Sequence, residues 1–175
     1  MVVGRFAGEK PPIVQDIVQI IDLSPQRKFC PNKQKYPFGV ESATGAIVSG
    51  NPVVCGGHQE STFEVLPQCY KYDNSTNSWT FLTNMTFNRG FSASVALNDK
   101  LFVIGGVGYN WDEIYSSTEY ISLDGNASQP GPELPLPRAR HCAVKLSTGK
   151  MMTKSSGQLI SMAGGKKIIA DSQMV

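Results

Sequence analysis

Apolar residues fall in short runs along this chain, either alternating with polar positions or closing on glycine. Val53-Val54-Cys55 runs into Gly56-Gly57, and Leu101-Phe102-Val103-Ile104 runs into Gly105-Gly106. Ahead of each lies an alternating run of small and apolar residues, Ala43-Thr44-Gly45-Ala46-Ile47-Val48 and Phe91-Ser92-Ala93-Ser94-Val95-Ala96-Leu97. Behind each lies a run that closes on an acid, Tyr70-Lys71-Tyr72-Asp73 and Glu119-Tyr120-Ile121-Ser122-Leu123-Asp124. Short runs of this kind, separated by Asn, Asp, Gly and Ser, predict β-strands. No stretch sustains the 3.6-residue period of an amphipathic helix. Asn98-Asp99-Lys100 and Ser147-Thr148-Gly149-Lys150 predict hairpin turns between a first and a second strand.

The runs repeat. The two clear glycine pairs lie about 49 residues apart. A weaker copy is Leu159-Ile160-Ser161-Met162-Ala163-Gly164-Gly165, and a degenerate one is Val2-Val3-Gly4-Arg5. Other landmarks keep the same order. Asn77-Ser78-Trp79 is followed by Met85 and Arg89, and Pro132-Glu133-Leu134-Pro135 by Arg138 and Arg140. Each unit thus reads as four short strands, and a four-stranded unit at this period predicts a propeller blade.

The glycine pair after an apolar strand, the Tyr-Asp, the Asn-x-Trp and the following Arg resemble the kelch repeat. The resemblance implies an all-β fold: a kelch-type β-propeller of four-stranded antiparallel blades, here with the ring not closed. The expected divisions are a partial blade over 1–40 holding later strands, full blades over 41–89 and 90–138, and a partial blade over 139–175 holding first strands. Gly56, Gly57, Gly105 and Gly106 then mark the crowded centre, where a chain without Cβ can turn at positive φ. Trp79 fills the wider space between blades, and Arg89 suits an inter-blade hydrogen bond. These are structural roles. Propellers close with at least ~4 blades. The expectation is therefore either a fragment of a larger protein or self-association through unclosed propeller edges. The stretch from Met151 to Gly157 lengthens the last unit, as an insertion in the hairpin or an aberrant segment.

Composition narrows the function. Of 175 residues, 41% are hydrophobic and 17% charged, which suits a chain that buries a core. A net charge of +2 gives no footprint for nucleic acid, and no apolar run is long enough to span a bilayer as a helix. Four cysteines occur, without a Cys-x-x-Cys or a His-x-x-x-His, so no metal site is expected. Cys55 ends a second strand and Cys69 opens a third, so the two either form a disulfide or stay as buried thiols. Their joint absence from the next unit favours the disulfide. Asn74, Asn84 and Asn126 head Asn-x-Ser/Thr triplets in expected turns or strand ends, where N-glycans fit. Sequons and cysteine pair together favour a secreted protein, with cytoplasmic residence as the alternative. The start, Met1-Val2-Val3-Gly4-Arg5, lacks the apolar centre of a signal peptide, which on this reading reflects truncation.

Strand alternation puts the connections between second and third strands on the same face as the inter-blade crossings. That face is the expected binding surface. Tyr109, Trp111 and Asp112 form a candidate hot spot there, although Trp111 has the alternative of folding back over its own blade. Arg138 and Arg140 are candidates for gripping acidic groups. The expected function is a non-enzymatic module that binds a protein partner and needs no cofactor. One alternative is an intracellular adaptor that presents substrates to a ubiquitin ligase, without the BTB domain such proteins carry. Another is an enzyme like the copper oxidases that act on sugars. That site needs two His and two Tyr converging, and the chain has only His58 and His141, in different units.

Overall fold

Residues 33–59, 61–62, 64–109, 112–147 and 151–155 are described by a computed structural model. It also describes the backbone of strands 158–163 and 166–170 and of short strands within 2–19. Blade 1 consists of β1 (Thr44–Val48), β2 (Asn51–Cys55), β3 (Gln68–Asp73) and β4 (Ser78–Asn84). Blade 2 consists of β5 (Ala93–Leu97), β6 (Lys100–Ile104), β7 (Thr118–Ser122) and β8 (Gln129–Pro130). A third four-stranded sheet holds β9 (Cys142–Lys145), β10 (Met151–Ser155), β11 (Gln158–Ala163) and β12 (Lys166–Ala170). Each is an antiparallel meander with its strands in chain order, and none of the sheets closes on itself. The described residues contain no helix, and so none long and apolar enough to cross a membrane.

Period-two alternation sorts the core. Val53 and Cys55 pack with Val48, Cys69, Leu82 and Met85 against Leu101, Val103 and Ile121 of blade 2. Val54, on the opposite face of β2, joins Val18, Tyr36, Val40 and Leu66. One blade on, Phe102 and Ile104 turn forward with Val95 and Leu134 to meet Met151 of the third sheet. Blades 1 and 2 each therefore bury both faces between neighbours. Trp79 packs edge-on against Tyr36, with ring centroids 4.9 Å apart, and its indole N–H donates to the Gln34 carbonyl at 3.2 Å. That is the large aromatic filler the wide end of a blade boundary requires.

The repeat is visible bond by bond. Gly57 N donates to Arg89 O and Gly106 N to Arg138 O. Phe91 N donates to Ser42 O and Arg140 N to Phe91 O, a ladder linking successive blades. Ser42, Phe91 and Arg140 share a left-handed backbone at φ 56, 54 and 52°. Gly56 and Gly105 take φ 63 and 59°, and a Cβ on either would overlap the carbonyl oxygen of Arg89 or Arg138. Only glycine combines that φ with that approach.

Cys55 and Cys69 stand opposite each other in register, 4.0 Å apart at Cα, and are joined as a disulfide. Their counterparts in blade 2 are Ile104 and Thr118, opposed in the same register.

The third sheet departs from the sequence reading. The second strand was expected to end at Gly164-Gly165, with Met151 to Gly157 as an insertion in the hairpin or an aberrant segment. Instead β10 is Met151–Ser155, pairing with β9 from Cys142↔Lys154 to Lys145↔Met151. Gly164 and Gly165 fall in sequence between β11 and β12 and lie outside the described residues. Where blades 1 and 2 carry glycine after the second strand, this chain has Ser155-Ser156. There β10 and β11 pair through to their ends, Ser155 opposite Gln158.

Candidate interaction face

The connections between second and third strands fold alike in blades 1 and 2. In blade 1, His58–Gln59 pairs with Glu64–Val65 on one side and Val40–Glu41 on the other. In blade 2 the same positions form the bridges Gly90↔Val107 and Val107↔Ile114. The third sheet has no such hairpin, because β10 turns directly into β11. This changes one residue sharply. Val65 is 1% exposed, and a Cβ added to Gly90 would meet both it and Val107 at 3.8 and 3.9 Å. Ile114, at the equivalent place, is 48% exposed.

Arg89 is fully buried at the crossing from blade 1 to blade 2. Its Nε donates to Glu119 Oε1 at 2.9 Å, while Nη2 lies 2.8 Å from the same oxygen as an ion pair and donates to Ser117 Oγ at 2.7 Å. Its Nη1 donates to the carbonyls of Gly105 and Ser117, at 2.8 and 3.0 Å. Glu119 is 2% exposed. Burial alone would raise its pKa. Hydrogen bonds from Thr86 N and Ser128 Oγ, with the Arg89 charge, outweigh burial and hold it below its ordinary value. The rings of Phe87 and Tyr115 lie 5.3 Å apart beside the guanidinium. Tyr115 Oη donates to Glu113 Oε2 at 3.0 Å, and burial together with that carboxylate pushes its pKa up to about 12.

The face brings together only some of the residues singled out from sequence. Tyr109 and Asp112 are exposed at the blade 2 hairpin, and Trp111 lies outside the described residues. Arg138 is only 6% exposed and repeats the placement of Arg89, so it does not present itself to an acidic partner. Arg140 is exposed and rests its guanidinium 4.5 Å above the Phe91 ring. His58 Nδ1 lies 3.5 Å from Glu41 Oε1. His141 is partly buried beside Arg138, and burial first, then that charge, lower its pKa. Among the described residues no cluster of three or more His, Cys, Asp or Glu is placed to hold a metal ion. Asn74 and Asn126 lie exposed in the turns after β3 and β7, on the opposite face, and Asn84 ends β4 exposed.

Three exposed apolar side chains on this face were not picked out from sequence: Phe87, Ile114 and Leu136. A signal was there. Phe87 and Leu136 each stand two residues before the repeat arginine. Leu136 lies between Leu134, whose N–H bonds Ser116 O, and Arg138, whose N–H bonds Tyr115 O. On this face Phe87 meets the Tyr115 ring, Ile114 adjoins Tyr115 in sequence, and Leu136 lies in the crossing bonded to Ser116 and Tyr115, which together make up the row.

No protein-family model matches the chain. Alpha-scruin of Limulus polyphemus is 27% identical over 143 residues, covering 79% of this chain and 15% of that protein. Kelch repeat and BTB domain-containing protein 12 of Danio rerio is 29% identical over 122 residues, covering 61% and 20%. The chain thus spans a fifth or less of the length of these curated relatives. The solved structure of YjhT superposes with a TM-score of 0.71 at 18% identity, covering 87% of this chain and 58% of that one. At that identity the likeness speaks to the fold. Repeat register, blade geometry and relatives agree: the chain is built of kelch repeats, folded as four-stranded β-propeller blades.

Proposed function

We propose that the chain is a non-enzymatic protein-interaction module whose contact surface is the face carrying the second-to-third-strand hairpins. The observation that supports this is the exposed row of Phe87, Ile114 and Leu136, held on a rigid sheet scaffold. Exposed apolar side chains grouped on one loop face suit partner contact better than catalysis. The buried Cys55–Cys69 bridge and the exposed sequons Asn74 and Asn126 support a secretory route. A second reading, an adaptor for a ubiquitin ligase, draws on the relative whose name includes a BTB domain. Intact mass before and after reductant and glycosidase separates the two, since a reduced, unglycosylated chain from its native source removes the secretory reading.

The module reading is tested by affinity capture with the full chain and with the double variant Ile114→Glu/Leu136→Glu. Partners recovered by the parent should be lost by the variant while its thermal unfolding stays unchanged. Equal recovery by both overturns the assignment of the face.

A further inference from the structure

We infer that the row formed by Phe87, Ile114 and Leu136 docks a protein segment bearing both basic and apolar side chains; this rests on the module reading above. Exposed acidic residues flank members of the row along the chain. Glu113 adjoins Ile114, Asp112 precedes it, and Glu133 stands beside Leu134 at the foot of the crossing that carries Leu136. Glu64, on the blade 1 hairpin, occupies the repeat position of Glu113 and is likewise exposed. Two of the three arginines on this face are withdrawn, and Arg140 stays exposed. Arg89 is spent on Glu119, Arg138 is buried, and Arg140 leans on Phe91. Exposed lysines instead sit toward the opposite face, Lys100 after the β5–β6 turn and Lys145 at the end of β9.

The opening beside Ile114 has a cause in the fold. In blade 1, Val65 at the same place is 1% exposed and lies beside Gly90, which bridges to Val107 of the following hairpin. In the third sheet Ser155 pairs with Gln158, leaving no room for such a hairpin, and Ile114 is 48% exposed beside Glu113. An apolar floor with acidic walls favours apolar side chains flanked by Lys or Arg and repels acidic segments.

The test is fluorescence anisotropy of the full chain with two labelled peptides, one alternating lysine and leucine, the other alternating glutamate and leucine. The lysine peptide should bind, and weaken about tenfold with Glu113→Lys/Glu133→Lys and again with Ile114→Ser/Leu136→Ser. Its binding should fall as salt rises. The control Asp124→Lys, on the opposite face, should change nothing. Binding of the lysine peptide that ignores the rim and row variants, or no binding at all, overturns the inference. If the glutamate peptide binds and the Ile114→Ser/Leu136→Ser pair weakens it, the acidic-rim inference falls while the module reading stands. A concentration-dependent dimer abolished by Ile114→Ser, seen by sedimentation, makes a second copy the occupant and also overturns it.

Discussion

The two inter-blade junctions are built to one plan and differ in a buried ion pair and a disulfide. The first packs Val53, Cys55, Leu82 and Met85 against Leu101, Val103 and Ile121. The second packs Val95, Phe102, Ile104 and Leu134 against Met151. Each has an arginine in the crossing, Arg89 or Arg138, whose carbonyl accepts from the second glycine of the blade's pair. At the first junction Arg89 meets Glu119, which stands opposite Val103 in register. In the third sheet, the residue opposite Thr153, the position matching Val103, is Ile160. Apolar packing is non-directional and tolerates small rotations of one sheet over the next. A buried ion pair with every hydrogen bond satisfied does not. The first junction is therefore pinned in orientation by this pair, whereas at the second the place of Glu119 in the register is held by Ile160.

Substituting the two arginines breaks or sharpens this contrast most. Arg89→Ala leaves Glu119 buried without its counter-ion, and the expected loss is about 3–5 kcal/mol in urea denaturation of the full chain. Replacing the pair together, Arg89→Met/Glu119→Leu, should recover most of it, because a packed apolar pair avoids the desolvation cost. Arg138→Ala should cost less than Arg89→Ala by at least ~1 kcal/mol. Equal losses would make the junctions equivalent and end the comparison. Next in size is the disulfide, which faces the first junction only. Cys55→Ser/Cys69→Ser should cost about 3 kcal/mol for a loop of this length. Cys55→Ile/Cys69→Thr, the pair blade 2 uses, should cost less, because isoleucine fills the site without burying a second hydroxyl.

Much of this was legible in the sequence. Gly56-Gly57 and Gly105-Gly106 mark the ends of β2 and β6, and the opposed positions of Cys55 and Cys69 follow from strand order. The third sheet was not, for a physical reason. Leu159 to Gly165 carries the same local pattern as a second strand before its glycines, and pattern reports strand propensity without reporting which strand. Pairing from β9 decides that, and it selects Met151–Ser155. The arginines were legible as a repeat but not as buried. Arg89 is withdrawn by Glu119, thirty residues on, and no local feature announces that partner. Exposure of Ile114, against the buried Val65 at the same repeat position, is a property of how neighbouring units pack and has no local signal.

The glycine positions sharpen the same contrast at smaller scale. Gly105→Ala should cost about 2 kcal/mol, from the left-handed backbone and the overlap with Arg138 O. Ser155→Gly should stay within about 0.5 kcal/mol, since the third sheet does not use that route. A thermal melt of each variant reads the difference, and a large effect at Ser155 would mean the third sheet needs its side chain there.

Acidification gives the smallest effect and separates the junctions by pH. His141, at the second junction, has a folded pKa below its ordinary 6.5, through burial and then the Arg138 charge. The unfolded chain therefore takes up a proton near pH 6.5 that the folded chain resists. Stability from this site is full above that value and is lost as pH falls through the lower folded pKa. Glu119, at the first junction, has a folded pKa below 4.5. Its contribution is full above about pH 4.5 and is lost only as pH falls through that lower value. Between pH 6.5 and 4.5 the second junction should loosen while the first holds. Hydrogen exchange reads this at matched amides. Protection of Gly106 and Arg140, bonded to Arg138 O and Phe91 O, should drop from pH 7 to pH 5 after correction for intrinsic rates. Protection of Gly57 and Phe91, bonded to Arg89 O and Ser42 O, should persist. His141→Gln should abolish the difference in pH response. Loss of protection at Gly57 first, or at both pairs together, would show that the buried ion pair does not set the order in which the junctions give way.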